Sequence, residues 1–130
     1  MGRLVGLERM NEFLFVCSQN WQRSPTCEHV ARIQKCAADS AGTDLGAVRP
    51  LTPEAIARAE RLVAMEEVHA KAIARMAPGR VQDIECWNIP DDYSYCADSL
   101  VSEIKRLLRE PRISLIWRSG NVGRKGPSTV

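Results

Sequence analysis

Cys17, Arg23 and Ser24 fall within the stretch FLFVCSQNWQRSPTCEHV (13–30), where four apolar residues run into a thiol and five residues then separate it from an Arg-Ser-Pro. A loop between a strand end and a helix start points successive backbone N–H groups into one concavity. The helix end adds unpaired donors and a partial positive charge. Such a nest takes a tetrahedral oxyanion, and Arg23 at its rim can grip two oxygens as a fork. A thiol at the base, Cys17, feels the same field, which favours thiolate over thiol. A hydroxyl donated from Ser24 adds to that effect. The chemistry this permits is covalent phosphoryl transfer to sulfur without a metal. The competing reading is a buried core cysteine beside a surface arginine. The chain has five cysteines, and chance would give them this Cys-x5-Arg-Ser/Thr spacing in roughly 0.04 chains.

The elements needed to position these groups are legible in outline. Residues 13–16 read as a short buried strand, too brief for a helix. Ser24 and Pro25 open a helix that runs to about Lys35, with Glu28 near its positive end and Cys27, Val30, Ala31 and Ile33 at helical spacing. CAADSAGTDLG supplies a strand and a loop. LTPEAIARA restarts a helix, with Thr52 as N-cap and Pro53 in the first turn. Residues 62–65 form another buried strand. EEVHAKAIARM is a helix with Val68, Ala72, Ile73 and Met76 inward, stopped by Pro78 and Gly79. A weaker strand over 81–86 leads into the loop WNIPDDYSY. Asp98 then caps an amphipathic helix with Leu100, Val101, Ile104, Leu107 and Leu108 on one face. Alternating strands and helices predict an α/β fold with a parallel sheet covered on both faces. Ligands in such sheets sit beyond the C-terminal strand ends, where Cys17 falls.

With 130 residues and 45 % hydrophobic content, the chain fits one domain with a real core. The expected layout is an N-terminal extension over 1–11, the domain over 12–118 and a disordered tail over 119–130. Met1 and Met10 both stand as candidate starts. A net charge of +2 argues against nucleic acid as a partner. No apolar run approaches the length of a spanning helix, and no secretory signal is seen, so no membrane partner is expected. The odd cysteine count, without a Cys-x-x-Cys pair, disfavours a disulfide scaffold or a zinc site. A cytoplasmic protein with reduced thiols is expected.

The loop CSQNWQRSP resembles the phosphate-binding loop of the low-molecular-weight protein tyrosine phosphatase family, and more closely a small bacterial branch with a Cys-Ser-Gln-Asn loop. The likeness runs over about residues 12–108, through DSAGT (39–43), RPLTPEAIARAERLVAMEE (49–67) and IPDDY (89–93). It implies a three-layer α/β/α fold with a four-stranded parallel sheet, and cofactor-free hydrolysis of phosphomonoesters through a phosphocysteine. The expected substrate is protein phosphotyrosine or a small phosphomonoester, with inorganic phosphate or sulfate as a site ligand. Carried over, Cys17 is the nucleophile and Arg23 the oxygen clamp. Ser18, Gln19, Asn20, Trp21, Gln22, Arg23 and Ser24 form the phosphate-binding loop. Ser24 supports the thiolate, and Asn20 braces the loop through Ser40. The family's Asp-Pro-Tyr-Tyr pattern aligns with IPDDY to place the general acid at Asp91, with Asp92 as its rival, and to put Tyr93 on the substrate cleft with Trp21.

Departures from the pattern are specific. Gln22 replaces a second loop cysteine, and Gln19 replaces a glycine, which disturbs the loop if that position needs positive φ. A supporting histidine would fall near Ala47, and Ser94 replaces a second cleft tyrosine. Trp21 stands for an aliphatic residue at the loop tip, where it can stack on an aryl group.

Two alternatives follow from the remaining residues. Cys86 and Cys96 bracket the acid loop, which admits an arsenate reductase on the same fold. A phosphate- or phosphopeptide-binding module that kept the nest and lost catalysis is the other. Cys27 and Cys36 read as packing, His29 as core-edge or surface, and His69 as solvated on a polar helix face. Glu66 and Glu67 read as the negative start of a helix. Trp87 is expected under the acid loop, and Trp117 is expected to pack a C-terminal segment on the core.

Overall fold

The computed structural model describes residues 11–110, 116 and 117. The expected tail, and all of the expected N-terminal extension except Asn11, lie outside the described residues. The apolar run at 13–16 sits inside strand β1 (Asn11–Cys17), which is flanked in parallel by β2 (Ala38–Gly42) and β3 (Ala59–Ala64). Strand β4 (Ile84–Cys86) extends β3, giving a four-stranded parallel sheet in the order β2-β1-β3-β4. β1 is central and covered on both faces, which explains why its sequence is continuously apolar rather than alternating.

Alternation along β1 divides the core into two layers. Phe13, Phe15 and Cys17 face helix α1 (Arg23–Ile33) and helix α4 (Asp98–Arg109), where Cys27, Val30, Leu100, Ile104 and Leu107 meet them. Leu14 and Val16 face helices α2 (Pro53–Arg58) and α3 (Glu67–Met76), against Ile56, Ala70 and Ile73. The expected three-layer architecture is the one observed. The chain leaves β1 to one side for β2 and crosses back to the other side for β3. The C-terminal end of β1 is therefore the switch point where an open sheet leaves a crevice.

Local chemistry sets several boundaries. Thr52 caps α2 by accepting the Ala55 N–H at 3.1 Å. The strand expected over 81–86 is shortened to Ile84–Cys86, because Pro78 and Gly79 open a 3-10 turn (Pro78–Asp83). Arg80 holds that turn by donating to Asp83 and to the carbonyls of Ile56 and Ala59. Asp98 is the first residue of α4 rather than its cap, which is Ala97. Glu28 lies too far along α1 to serve its first turn and has a different use, described below. Trp87 is buried and meets Phe15 edge-on, and Trp117 packs on the core with its backbone N–H donating to the Ile84 carbonyl.

The largest correction concerns α3. Val68 and Met76, expected inward, are 61 % and 41 % exposed, and the buried residues are His69, Ala70 and Ile73. The ring of His69, expected to be solvated, is fully buried and closes back on the Glu66 N–H at the helix start. That contact rotates the helix so that 69, 70 and 73 form the inner stripe. Ile73→Ala is therefore expected to cost 2–5 kcal/mol, and Val68→Ala less than about 0.5 kcal/mol. Urea unfolding of the two variants checks this, and a larger loss at Val68 would contradict the helix orientation.

Candidate active site

Cys17 ends β1, and residues 18–22 turn over the sheet edge into α1. Backbone contacts with the segment after β2 decide which way this loop faces. The carbonyls of Cys17, Ser18 and Gln19 accept from the N–H groups of Thr43, Asp44 and Val48 at 2.9, 2.9 and 3.1 Å. In a planar trans peptide the following N–H points the opposite way. The amides of Ser18, Gln19 and Asn20 thus turn toward the sulfur side, and the Asn20 N–H lies 3.2 Å from Cys17 Sγ. The loop is a nest of donors around a thiol.

Asn20 takes the left-handed conformation, with φ 59°, that makes this turn possible. Gln19 needs no positive φ, so replacement of a glycine there leaves the loop undisturbed. Asn20 lies behind the nest, buried, and its Nδ2 donates to Ser24 Oγ and to Ser40 Oγ, each at 2.9 Å. Ser24 Oγ, having accepted from Asn20, lies 2.9 Å from Cys17 Sγ and 3.4 Å from the Ala41 carbonyl, and its one proton can go to either of them. Ser40 is saturated: it accepts from Asn20 and from Arg49 Nη2 at 2.9 Å, and donates to Glu28 Oε1 at 2.6 Å. Arg49 also reaches Asn20 Oδ1 at 3.4 Å and Glu28 at 2.6 Å. Arg49 and Glu28 thus supply bracing around Asn20 where the sequence lacks a histidine near Ala47. Neither carried a sequence signal, since one lies in a loop and the other reads as an ordinary helix charge.

Arg23 is buried despite its charge, so its partners matter. Nη1 donates to Glu66 Oε1 at 2.8 Å and to the Ile89 carbonyl at 2.9 Å, while Nε lies 3.6 Å from Asp91 Oδ1. In the sequence Glu66 reads as a helix start only. Its position just beyond β3, on the same sheet edge as Cys17, was the available hint.

These groups enclose a cavity of about 250 Å³, lined by Cys17, Ser18, Gln19, Trp21, Gln22, Arg23, Asp44 and Asp91. Asn20 and Ser24 stand behind it rather than in its wall. Asp91 lines it and Asp92 does not, which separates the two carboxylates the sequence left as rivals. Trp21 is 65 % exposed at the rim. Tyr93, expected on the cleft, packs partly on the core cluster of Phe15 and Trp87 and lies outside the wall. The reason is that the loop after Trp87 descends onto that layer through Ile89, which is buried. Asp44 is a wall residue that the sequence reading missed. Cys86 and Cys96 do not line the cavity, and burial pushes the Cys86 thiol up to about 11. No cluster suited to a metal ion occurs among the described residues.

The close approach of β2 to this loop depends on Gly42. A Cβ there would stand 2.5 Å from the Ser18 carbonyl oxygen and 3.0 Å from the Asn20 nitrogen. Gly42→Ala is expected to lower stability by about 1–3 kcal/mol, because the loop backbone must move. Scanning calorimetry checks this, and wild-type behaviour would contradict the geometry. A second expectation concerns His69, whose ring is held down to about 4, first by burial and then by the Arg23 charge, against the opposing pull of Glu66, Asp44 and Asp91. The folded value lies below the ordinary 6.5, so the unfolded chain binds the extra proton between them. Stability from neutral His69 is complete above about pH 6.5 and falls as pH drops toward 4, by about 3 kcal/mol in all. Urea midpoints across that range should slope in the wild type and flatten in His69→Gln.

No protein-family model and no curated protein sequence matches the chain. Solved structures do. The tyrosine phosphatase Wzb from Escherichia coli K30, in complex with phosphate, superposes with a TM-score of 0.60 at 22 % identity, covering 75 % of this chain and 93 % of that one. The YwlE arginine phosphatase from Geobacillus stearothermophilus gives 0.61 at 17 % identity, covering 91 % and 99 %. Wzb from Vibrio vulnificus, in complex with benzylphosphonate, gives 0.58 at 20 %, covering 74 % and 90 %. The chain has the three-layer α/β fold of these phosphatases.

Proposed function

We propose that the protein is a phosphatase that hydrolyses phosphomonoesters, with phosphotyrosine on protein as the preferred substrate. The observation that carries this reading is the joint presence of a sulfur, a cup of amides, a buried guanidinium and two carboxylates, Asp91 and Asp44, in a single cavity, with Asp91 the one beside Arg23. The Cys17 sulfur attacks phosphorus in line, while Arg23 and the loop amides hold the equatorial oxygens. The leaving oxygen takes the proton of Asp91 as the P–O bond breaks, leaving a phosphocysteine. Asp91, now a carboxylate, removes a proton from water as that water attacks phosphorus. Inorganic phosphate leaves and the thiolate is restored. Glu66 is a positioning residue that fixes Arg23.

The substrate class rests on the rim. Trp21 offers a stacking face to an aryl group. Asp44 also lines an adjoining groove of about 420 Å³, with Leu45 and Met76 exposed along it, where the chain flanking a phosphorylated residue would lie. The Wzb and YwlE structures are of tyrosine and arginine phosphatases, which supports phosphate removal as the activity. A thiol relay through Cys86 and Cys96 has no such support, because neither reaches the cavity and Cys86 is held protonated. The cysteines are free thiols, which fits a cytoplasmic setting.

Turnover of a simple aryl phosphate tests the proposal. Cys17→Ser should reduce it to background. Asp91→Asn should slow it about 100-fold and remove the fall in rate at high pH, whereas Asp92→Asn keeps that limb. Undiminished turnover in Cys17→Ser would refute the mechanism. Phosphate binding without turnover in the wild type would favour the binding-module alternative.

A further inference from the structure

His69 is fully buried at the start of α3, yet both ring nitrogens are engaged. Nδ1 lies 3.1 Å from the Glu66 backbone nitrogen, a group that can only donate, so Nδ1 accepts. Nε2 lies 2.9 Å from Ser18 Oγ. A neutral ring whose Nδ1 accepts must carry its proton on Nε2, so Nε2–H donates to the serine oxygen. Ser18 is the residue after the candidate nucleophile and lines the cavity, with its Oγ against the ring. Its carbonyl is already committed to the Asp44 N–H, and no described residue accepts its hydroxyl proton. A serine facing a phosphoryl group can present either a lone pair, which repels the anion, or a proton, which binds it. The imidazole decides between them by occupying a lone pair from behind.

We propose that His69 is a positioning residue, whose Nε2–H holds the Ser18 oxygen so that the Ser18 hydroxyl proton is aimed at the phosphoryl oxygens in the cavity. A protonated ring would set two N–H groups against each other at Glu66. The charged groups around the ring are Arg23, Glu66, Asp44 and Asp91, and burial with Arg23 keeps it neutral at ordinary pH. This assignment rests on the phosphoryl-binding reading of the cavity, and inorganic phosphate tests it without requiring turnover.

Long-range proton–nitrogen NMR of the full chain should show His69 as a neutral ring protonated at Nε2, with His69→Gln assigning the signal. A ring protonated at Nδ1 would overturn the proposal. Calorimetric titration with inorganic phosphate supplies the second arm. Ser18→Ala should weaken binding about tenfold, and Ser18→Thr, which keeps the hydroxyl, should restore most of it. His69→Gln should weaken binding in the wild-type background and add little to Ser18→Ala. Full additivity, or unchanged affinity in Ser18→Ala, would overturn the proposal. If His69→Gln does not fold, the tautomer and the Ser18 pair decide the matter. A wild type that binds no phosphate would instead sink the reading of the cavity itself.

Discussion

The site depends on the outward turn of three peptide carbonyls. Cys17, Ser18 and Gln19 hand their oxygens to the segment after β2, which forces the next three amides to face the sulfur. Without that segment, the loop would be free to rotate its peptides and the cup of donors would vanish. Gly42 lets β2 come close enough to make those bonds, and Asn20 takes the left-handed angle that closes the turn.

Charge burial is the second constraint. Arg23, Glu28 and Arg49 place a buried or half-buried ionic network under and beside the loop, and each charge has a partner of opposite sign. Such pairs are poor sources of net stability, because desolvation offsets much of their attraction. Their value here is in orientation. Arg23 cannot leave the cavity while Glu66 and the Ile89 carbonyl hold one end of its guanidinium. Arg49 braces the loop from the segment after β2, through Asn20 Oδ1 and Ser40 Oγ.

The start of α3 is tied to the loop after β1 at two points, through Glu66 to Arg23 and through His69 to Ser18. The end of β3 and the end of β1 therefore act as one rigid corner. Sequence periodicity misjudged this helix. Valine and methionine weigh as inward residues on any apolar scale, whereas a histidine and a glutamate become core components only when a particular neighbour satisfies them.

The sequence alone determined the alternating layout, the parallel sheet, the position of Cys17 at a strand end and the Cys-x5-Arg loop. All of these are carried by local composition and by spacing along the chain. It also placed Trp87 and Trp117 in the core, since large apolar groups bury wherever the fold permits. Only the tertiary structure decided which carboxylate enters the cavity, that Tyr93 turns to the core, and that Glu66, His69, Asp44 and Arg49 surround the loop. Those residues lie 27 to 76 positions beyond Cys17 in the chain. Their roles come from polar contacts across strands, whose partners no periodicity encodes, because a hydrogen bond depends on two particular atoms meeting rather than on the average character of a face.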